Sequence, residues 1–486
     1  MSELRRALAQ RAKRMLSAQR QDLSISEETI VSNSDKGNGK RITRRRFVES
    51  SIVATSVMGL APAISVARPG RSILGANDSV GIGFIGAGIR GNILMERTKP
   101  INGTRIIEVA DVYKGHIDRA RELFGEQLRA SNDYKNLLAN KDIDAVVIAV
   151  PDHLHKITTL DALAAGKDVY LEKPMTYRWQ DGAVIAAAAK KHGRILQVGS
   201  QYQSMPANEK AIEMIRGGKL GKITLIDGRI HRNTGTGAWY YPIPPDASPE
   251  TIDWKRFIGP APWREFDAKR FFQWRLYWDY SGGLPTDLFV HLVTATHTLM
   301  GAEMPNRVIA QGGIYNWKKD REVPDQMSAI VEYPEGFVLT LTSTANNNHP
   351  YPLLTIMGTE GTLEYYGTRL VYHPEPILEN FTYSTRSWPE ATVKKFAELN
   401  DLDPKSLRPN ATTNLTPGKP EEIRTPGAES TVAHLTKFYD SVRTRKEPVE
   451  NAVMGSYCAT VGHMVNISYK NHKEVRWDSR RQMVVV

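Results

Sequence analysis

The chain has 486 residues, long enough for two or three domains, and its 41% apolar and 24% charged content excludes a disordered or fibrous protein. A single cysteine, Cys458, excludes an internal disulfide and a cysteine-rich zinc site. The net charge is +11, but more than half of that excess lies in residues 1–67; the remainder is near balance, so composition gives no support for nucleic-acid binding.

The N-terminal segment reads as an address. Thr43-Arg44-Arg45-Arg46-Phe47-Val48 is a twin-arginine pattern, followed by an uncharged stretch from Ser50 to Ala67 that closes on small residues. A positive region, an apolar region and an A-x-A-like site describe an export signal, and paired arginines resemble signals of the route that moves folded proteins. Cleavage of residues 1–67, giving a periplasmic protein, and retention as a membrane anchor both fit this stretch.

Val80 to Ile85 reads as a buried strand running into Gly86-Ala87-Gly88-Ile89-Arg90-Gly91, a G-x-G-x-x-G loop, and then a helix. A second strand, Arg105 to Ala110, ends at Asp111, 20 residues past Gly91, where an acidic residue bonds ribose hydroxyls. Gly86 permits the tight turn, Gly88 the approach of a pyrophosphate and Gly91 close helix–strand packing, while the helix N-terminus offers free N–H groups. Asp111 repels a 2′-phosphate and favours NAD over NADP; Lys114 and Arg90 lie close enough in sequence to leave NADP open.

Alternation continues with a helix over Ile117–Phe124, a strand over Asp144–Val150, a helix from Leu160 to Ala165, a strand over Lys167–Leu171, a helix over Asp181–His192 and a strand over Ile195–Val198. This predicts a doubly wound parallel sheet over 78–200 with its ligand at the carboxyl ends of the strands. Polar clusters fall at those ends: the glycine loop, Asp111, Asp152-His153-Leu154-His155 and Glu172-Lys173. His153 and His155 have zinc-like spacing but no carboxylate or cysteine partner nearby, so no metal is expected.

Residues 239–280 hold 13 aromatics in 42 positions, against 8% overall. Flat rings beside Arg275 suit the apolar face of a carbohydrate, and Trp274, Arg275 and Tyr280 are the substrate candidates. Alternating runs from Gly312 to Ser343 and from Leu353 to Tyr366 read as strands, and the polar, proline-dotted residues 374–428 as an irregular insertion.

Gly86 to Gly91, Pro151-Asp152-His153-Leu154-His155, Glu172-Lys173-Pro174 and Gly282-Gly283…Asp287…His291, in that order and spacing, resemble the Gfo/Idh/MocA oxidoreductases. The resemblance implies an α/β protein: an N-terminal Rossmann domain joined to a C-terminal α/β domain (201–486) with a large, mostly antiparallel open sheet that often forms subunit interfaces, hence a homo-oligomer. It implies Lys173, Asp287 and His291 as catalytic residues. Asp152, His155, Glu172, Lys173 and Gln201 join the glycine loop and Asp111 in holding the cofactor. The chemistry suits those residue types. His291 takes a hydroxyl proton while hydride leaves for nicotinamide, Asp287 orients the imidazole from one turn away, and Lys173 stabilises alkoxide charge.

The expected function is NAD-dependent oxidation of a secondary alcohol on a sugar. Export would separate the enzyme from free NAD, which predicts a tightly held cofactor recycled on site. A redox-neutral NAD-dependent glycosidase is the enzymatic alternative: Leu284-Pro285-Thr286-Asp287 stands where that branch shows Y-P-T-H, so Pro-Thr is shared and Asp287 is not. A non-catalytic NAD-binding protein would predict loss of the lysine or histidine, and both are present.

Overall fold

A computed structural model describes residues 79–375, 385–402, 407 and 419–486. The leader and twin-arginine pattern lie outside the described residues. β1 (Val80–Ile85) is apolar along its whole length and entirely buried, as a strand covered on both faces must be. With β2 (Thr104–Ala110), β3 (Arg129–Ser131), β4 (Ala145–Ile148), β5 (Asp168–Leu171) and β6 (Leu196–Val198) it forms a six-stranded sheet, wholly parallel, in the order β3-β2-β1-β4-β5-β6. The crossovers carry α1 (Ile89–Thr98), α2 (Lys114–Phe124), α3 (Tyr134–Ala139), α4 (His155–Ala164) and α5 (Asp181–His192). The order in which strands are laid down reverses between β1 and β4, so the connections leaving their carboxyl ends go to opposite faces and open a crevice there.

The second domain begins with α6 (Asn208–Arg216) and β7 (Ile223–His231). Two five-residue helices, α7 (Trp254–Ile258) and α8 (Ala268–Phe272), and then α9 (Val290–Met300) lead into a run of strands: β8 (Arg307–Gly313), β9 (Gln326–Glu332), β10 (Val338–Thr344), β11 (Leu354–Gly358), β12 (Gly361–Tyr365) and β13 (Arg369–Pro374). α10 (Glu390–Leu399), β14 (Glu421–Arg424), α11 (Ser430–Thr444), α12 (Ala452–Asn471), β15 (Val475–Asp478) and β16 (Met483–Val485) complete it. The ten strands order as β14-β13-β12-β11-β7-β10-β9-β8-β15-β16, and only β7 and β10 run parallel. Strands such as β8 and β9 alternate buried and exposed positions, so one face is covered and the other open. The stretch expected to be irregular, 374–428, carries α10 and the edge strand β14, which pairs Arg369–Tyr372 with Glu421–Arg424.

The two domains share their packing. Leu435, Phe438 and Tyr439 of α11 lie in one apolar cluster with Val80, Ile82 and Phe84 of β1. The Arg445 guanidinium just beyond α11 pairs with Asp168 of β5, and Val198 N–H donates to the Glu450 carbonyl (3.0 Å). The core of the first domain is thus closed by residues from far along the chain.

Candidate functional site

The strand β1 ends in a turn that only glycine accommodates. Gly86 has φ +94°, and a Cβ there would lie 2.5 Å from the Ala149 carbonyl oxygen; a Cβ on Gly91 would overlap the carbonyl of Gly86. Gly88 caps α1 without any side-chain hydrogen bond, so the first-turn N–H groups face the crevice unclaimed by a cap. This cradle fits a pyrophosphate. Gly91→Ala is expected to displace the start of α1 and weaken dinucleotide binding about 100-fold, measured as cofactor content of the purified protein; full occupancy would contradict the assignment.

Asp111 closes the far side of the loop. It accepts from Ala87 N–H (2.6 Å) and Tyr113 N–H (2.9 Å), and His116 Nδ1 lies 3.2 Å from its carboxylate. Burial would raise this carboxyl, but the His116 charge and the backbone donors hold it below the usual range. Arg90 links the loop to the ends of β5 and β6: its Nε donates to Glu172 (2.7 Å) and its Nη2 reaches Gln201 (3.4 Å).

At the other end of the crevice, Lys173 follows β5 and meets Asp287 from the second domain. Lys173 Nζ donates to Asp287 Oδ1 (3.0 Å) and to its carbonyl oxygen (2.9 Å), and Arg275 Nε donates to the same Oδ1 (3.1 Å). Although burial opposes it, the Lys173 and Arg275 charges hold Asp287 far below the ordinary carboxylate range. α12 sets the turn that presents Asp287. Asn466 Nδ2 donates to Gly282 O (2.7 Å), and Gly462 lets the backbone of Pro285 approach. Asp152 opens a 3-10 turn after β4 at the same end. Burial pushes its carboxyl up to about 7, with Asp287 adding to the rise and Arg275 and Lys173 opposing it.

One cavity of about 940 Å³ joins these groups: Gly86, Gly88, Ile89 and Arg90, Asp111, Asp152, Glu172, Lys173, Gln201, Trp274, Arg275 and Asp287 all line it. Ala87 and Gly91 of the same loop are buried and are not among the lining residues. The Arg275 guanidinium lies 4.2 Å from the centroid of the Trp274 ring. The volume suits a dinucleotide together with a small substrate.

Four expectations change. Asp287 does not orient His291. The residues Pro285–Phe289 form a wide, π-type turn, and the carboxylate turns to Lys173 and Arg275. His291 packs instead on Tyr202 (ring centroids 4.7 Å), 7% exposed and with Nδ1 unpartnered, and it is not among the cavity-lining side chains. Burial first, and then the Lys173 charge, keep its ring neutral. His155 faces no cofactor groove: Nδ1 meets the Pro174 carbonyl (2.7 Å) and Nε2 the Val150 carbonyl (2.9 Å), clamping β4 to the Lys173 loop. Tyr280 is core, fully buried against Phe257 and His153. Among the described residues no group of three His, Cys, Asp or Glu converges on a metal position. The cavity also takes in Arg232, Trp239 and Tyr241. The aromatic run flagged the last two, while Arg232, just past a strand, had no signal.

Two family models match the chain. One, described as an oxidoreductase family with an NAD-binding Rossmann fold, covers residues 80–200; the other, the GFO/IDH/MocA C-terminal domain, covers 256–364. Inositol 2-dehydrogenase of Salmonella typhimurium is 27% identical over 174 residues, 36% of this chain and 48% of that protein; the chain thus matches about half the length of such relatives. A glycosyl hydrolase family 109 protein of Saccharopolyspora erythraea is 22% identical over 408 residues, 76% of this chain and 81% of that protein. Among solved structures, a levoglucosan dehydrogenase in complex with NADH and levoglucosan superposes with a TM-score of 0.60 at 17% identity, covering 82% of this chain and 99% of the other. An aldose-aldose oxidoreductase from Caulobacter crescentus gives 0.59 at 20%, with the same two coverages.

Proposed function

We propose that the chain, matched over 80–200 and 256–364 by two family models of the GFO/IDH/MocA oxidoreductases, oxidises a secondary alcohol of a sugar with NAD held in the Rossmann crevice. The observation that carries this reading is the pairing of Lys173 with Asp287 across the two domains, in the same cavity as the glycine loop. Gly86, Gly88, Arg90 and Asp111 would hold NAD, which would supply the hydride acceptor for the carbinol carbon.

The protein's own groups handle the rest. Asp287, ionised by its two cations, holds the Lys173 ammonium at the mouth of β5, where a remaining N–H is free to bind the alcohol oxygen and stabilise it as the proton leaves. His291, one turn beyond Asp287, is neutral with an unpartnered ring nitrogen, but it stands behind the cavity wall on Tyr202, so in this reading it takes up the proton only through a relay and not by direct contact with the alcohol. Trp274, Trp239 and Tyr241 supply flat walls for a pyranose.

A retained cofactor is part of the proposal. Pro242, Pro244, Phe271 and Phe272 of the second domain line the same cavity as Asp111 and the glycine loop, which supports enclosure of the dinucleotide. Denaturing the purified protein should release about one equivalent of NAD(H). Release of none, with turnover dependent on added NAD, would sink retention. Export through the twin-arginine route to the periplasm, already loaded, fits a retained cofactor. A homo-oligomer formed through the open sheet face is supported by Ile309 and Ile330, which pair in register and are both about half exposed. The redox-neutral glycosidase reading has one observation in its favour, the 408-residue match to the family 109 hydrolase. A panel of free sugars and aryl glycosides separates the two. Bound NAD that becomes NADH with free sugar supports the dehydrogenase. Release of the aryl group with no net reduction supports the glycosidase.

A further inference from the structure

The cavity is rich in cations, and apart from Arg232 and the exposed Lys135 of α3 they are spoken for. Arg90 is paired with Glu172, Lys173 and Arg275 share Asp287, and Arg256 pairs with Asp133 and Asp253. Arg232 is different. It stands one residue past β7, only partly exposed, and its backbone is fixed by the N–H bond to the Thr344 carbonyl (2.8 Å). Its side chain lines the cavity, yet among the described residues no carboxylate or hydrogen-bond acceptor meets its guanidinium.

Its position is at the reacting end rather than the phosphate end. The Arg232 charge bears on Asp287, His291 and Tyr202, while Arg90, which belongs to the glycine loop, is occupied by Glu172. Asp152, which also lines the cavity and makes no ion pair among the described residues, has Arg275 and Lys173 as the cations bearing most on it. A guanidinium withdrawn from bulk water without an acceptor loses hydration and regains nothing, unless a ligand supplies the acceptor. Its planar fork matches a carboxylate with two parallel N–H···O bonds. With Asp152 and Asp287 already on the walls beside Lys173 and Arg275, one unpaired guanidinium suits a monoanion better than a phosphate dianion.

We propose that Arg232 binds a carboxylate of the substrate, so that the sugar oxidised here is a sugar acid of the uronate class. The inference rests on the sugar-dehydrogenase reading above for the word sugar, but its test does not use turnover. Affinities of the NAD-loaded protein are measured by calorimetry for matched pairs: glucose and glucuronate, galactose and galacturonate, mannose and mannuronate, with glucose 6-phosphate as a further arm. At least one uronate should bind ten times more tightly than its neutral partner. That advantage should vanish in Arg232→Gln, survive in part in Arg232→Lys, and shrink as salt rises. No uronate outbinding its neutral partner would overturn the proposal. So would a preference that persists in Arg232→Gln, or tighter binding of the phosphate. A uronate preference without any reduction of bound NAD would uphold Arg232 and count against the dehydrogenase reading instead.

Discussion

Lys173→Met should lower kcat about 1,000-fold while leaving the protein folded and loaded with NAD. Methionine keeps the length and apolar stem of lysine but removes the ammonium proposed to stabilise the alkoxide charge that develops as the hydroxyl proton leaves, and loss of such a group is worth ~10²–10³ in rate or more. Asp287 keeps Arg275 as partner at 3.1 Å, so its carboxylate is not left buried alone and the turn at Pro285–Phe289 retains an anchor across the cavity. Lys173→Arg should fail to rescue, because a planar fork cannot reproduce two bonds from one nitrogen to the Asp287 carbonyl and Oδ1. Steady-state turnover, NAD content and melting temperature are the three measurements. Turnover within tenfold of the native protein would remove Lys173 from the chemistry.

Acid should unfold the protein well above the range of ordinary carboxylate titration. Burial lowers His153, His434 and His463 to about 4 and His297 to about 3, all in the folded state. An unfolded histidine titrates near 6.5, so between that value and about 4 the unfolded chain binds more protons than the folded one, and stability falls as pH falls. At ~1.4 kcal/mol per pK unit, each of the four loses up to ~2 kcal/mol between pH 6.5 and 5. Asp152 and Glu450 act in the opposite sense. Burial raises them to about 7 and about 8, so they take up protons in the folded state first and recover a similar amount each. The balance is a net loss on the order of 4 kcal/mol by pH 5. Urea midpoints at pH 6.5 and pH 5 check this, and equal midpoints would refute it.

Much of the first domain was legible because its physics is local. A strand buried on both faces must be apolar throughout, and Val80–Ile85 is; helix Asp181–His192 has the boundaries its periodicity predicts. The short β3 and α3 have too few residues for a periodic signature. At the site, the residue types were readable and their directions were not. His155 and Tyr280 lie in the right stretches of sequence, but the ring of one turns to two backbone carbonyls and that of the other into the core. Asp287 and His291 have the spacing of one helical face. A wide turn intervenes, and the stronger pull of two cations takes the carboxylate elsewhere. Arg232 escaped notice because a lone arginine beyond a strand is usually solvated; only the shape of the cavity singles it out.

The closure of β1 by α11 has a consequence in time. Residues 80–198 leave the ribosome long before Leu435, Phe438 and Tyr439, which cover Val80, Ile82 and Phe84. At roughly 5–20 residues per second, the nascent sheet waits for some tens of seconds with that face bare. Loading with dinucleotide therefore belongs after translation of α11, and a chain interrupted before Ser430 would carry every glycine of the loop yet present it on an unfinished sheet. Such fragments should be chaperone clients rather than weak binders.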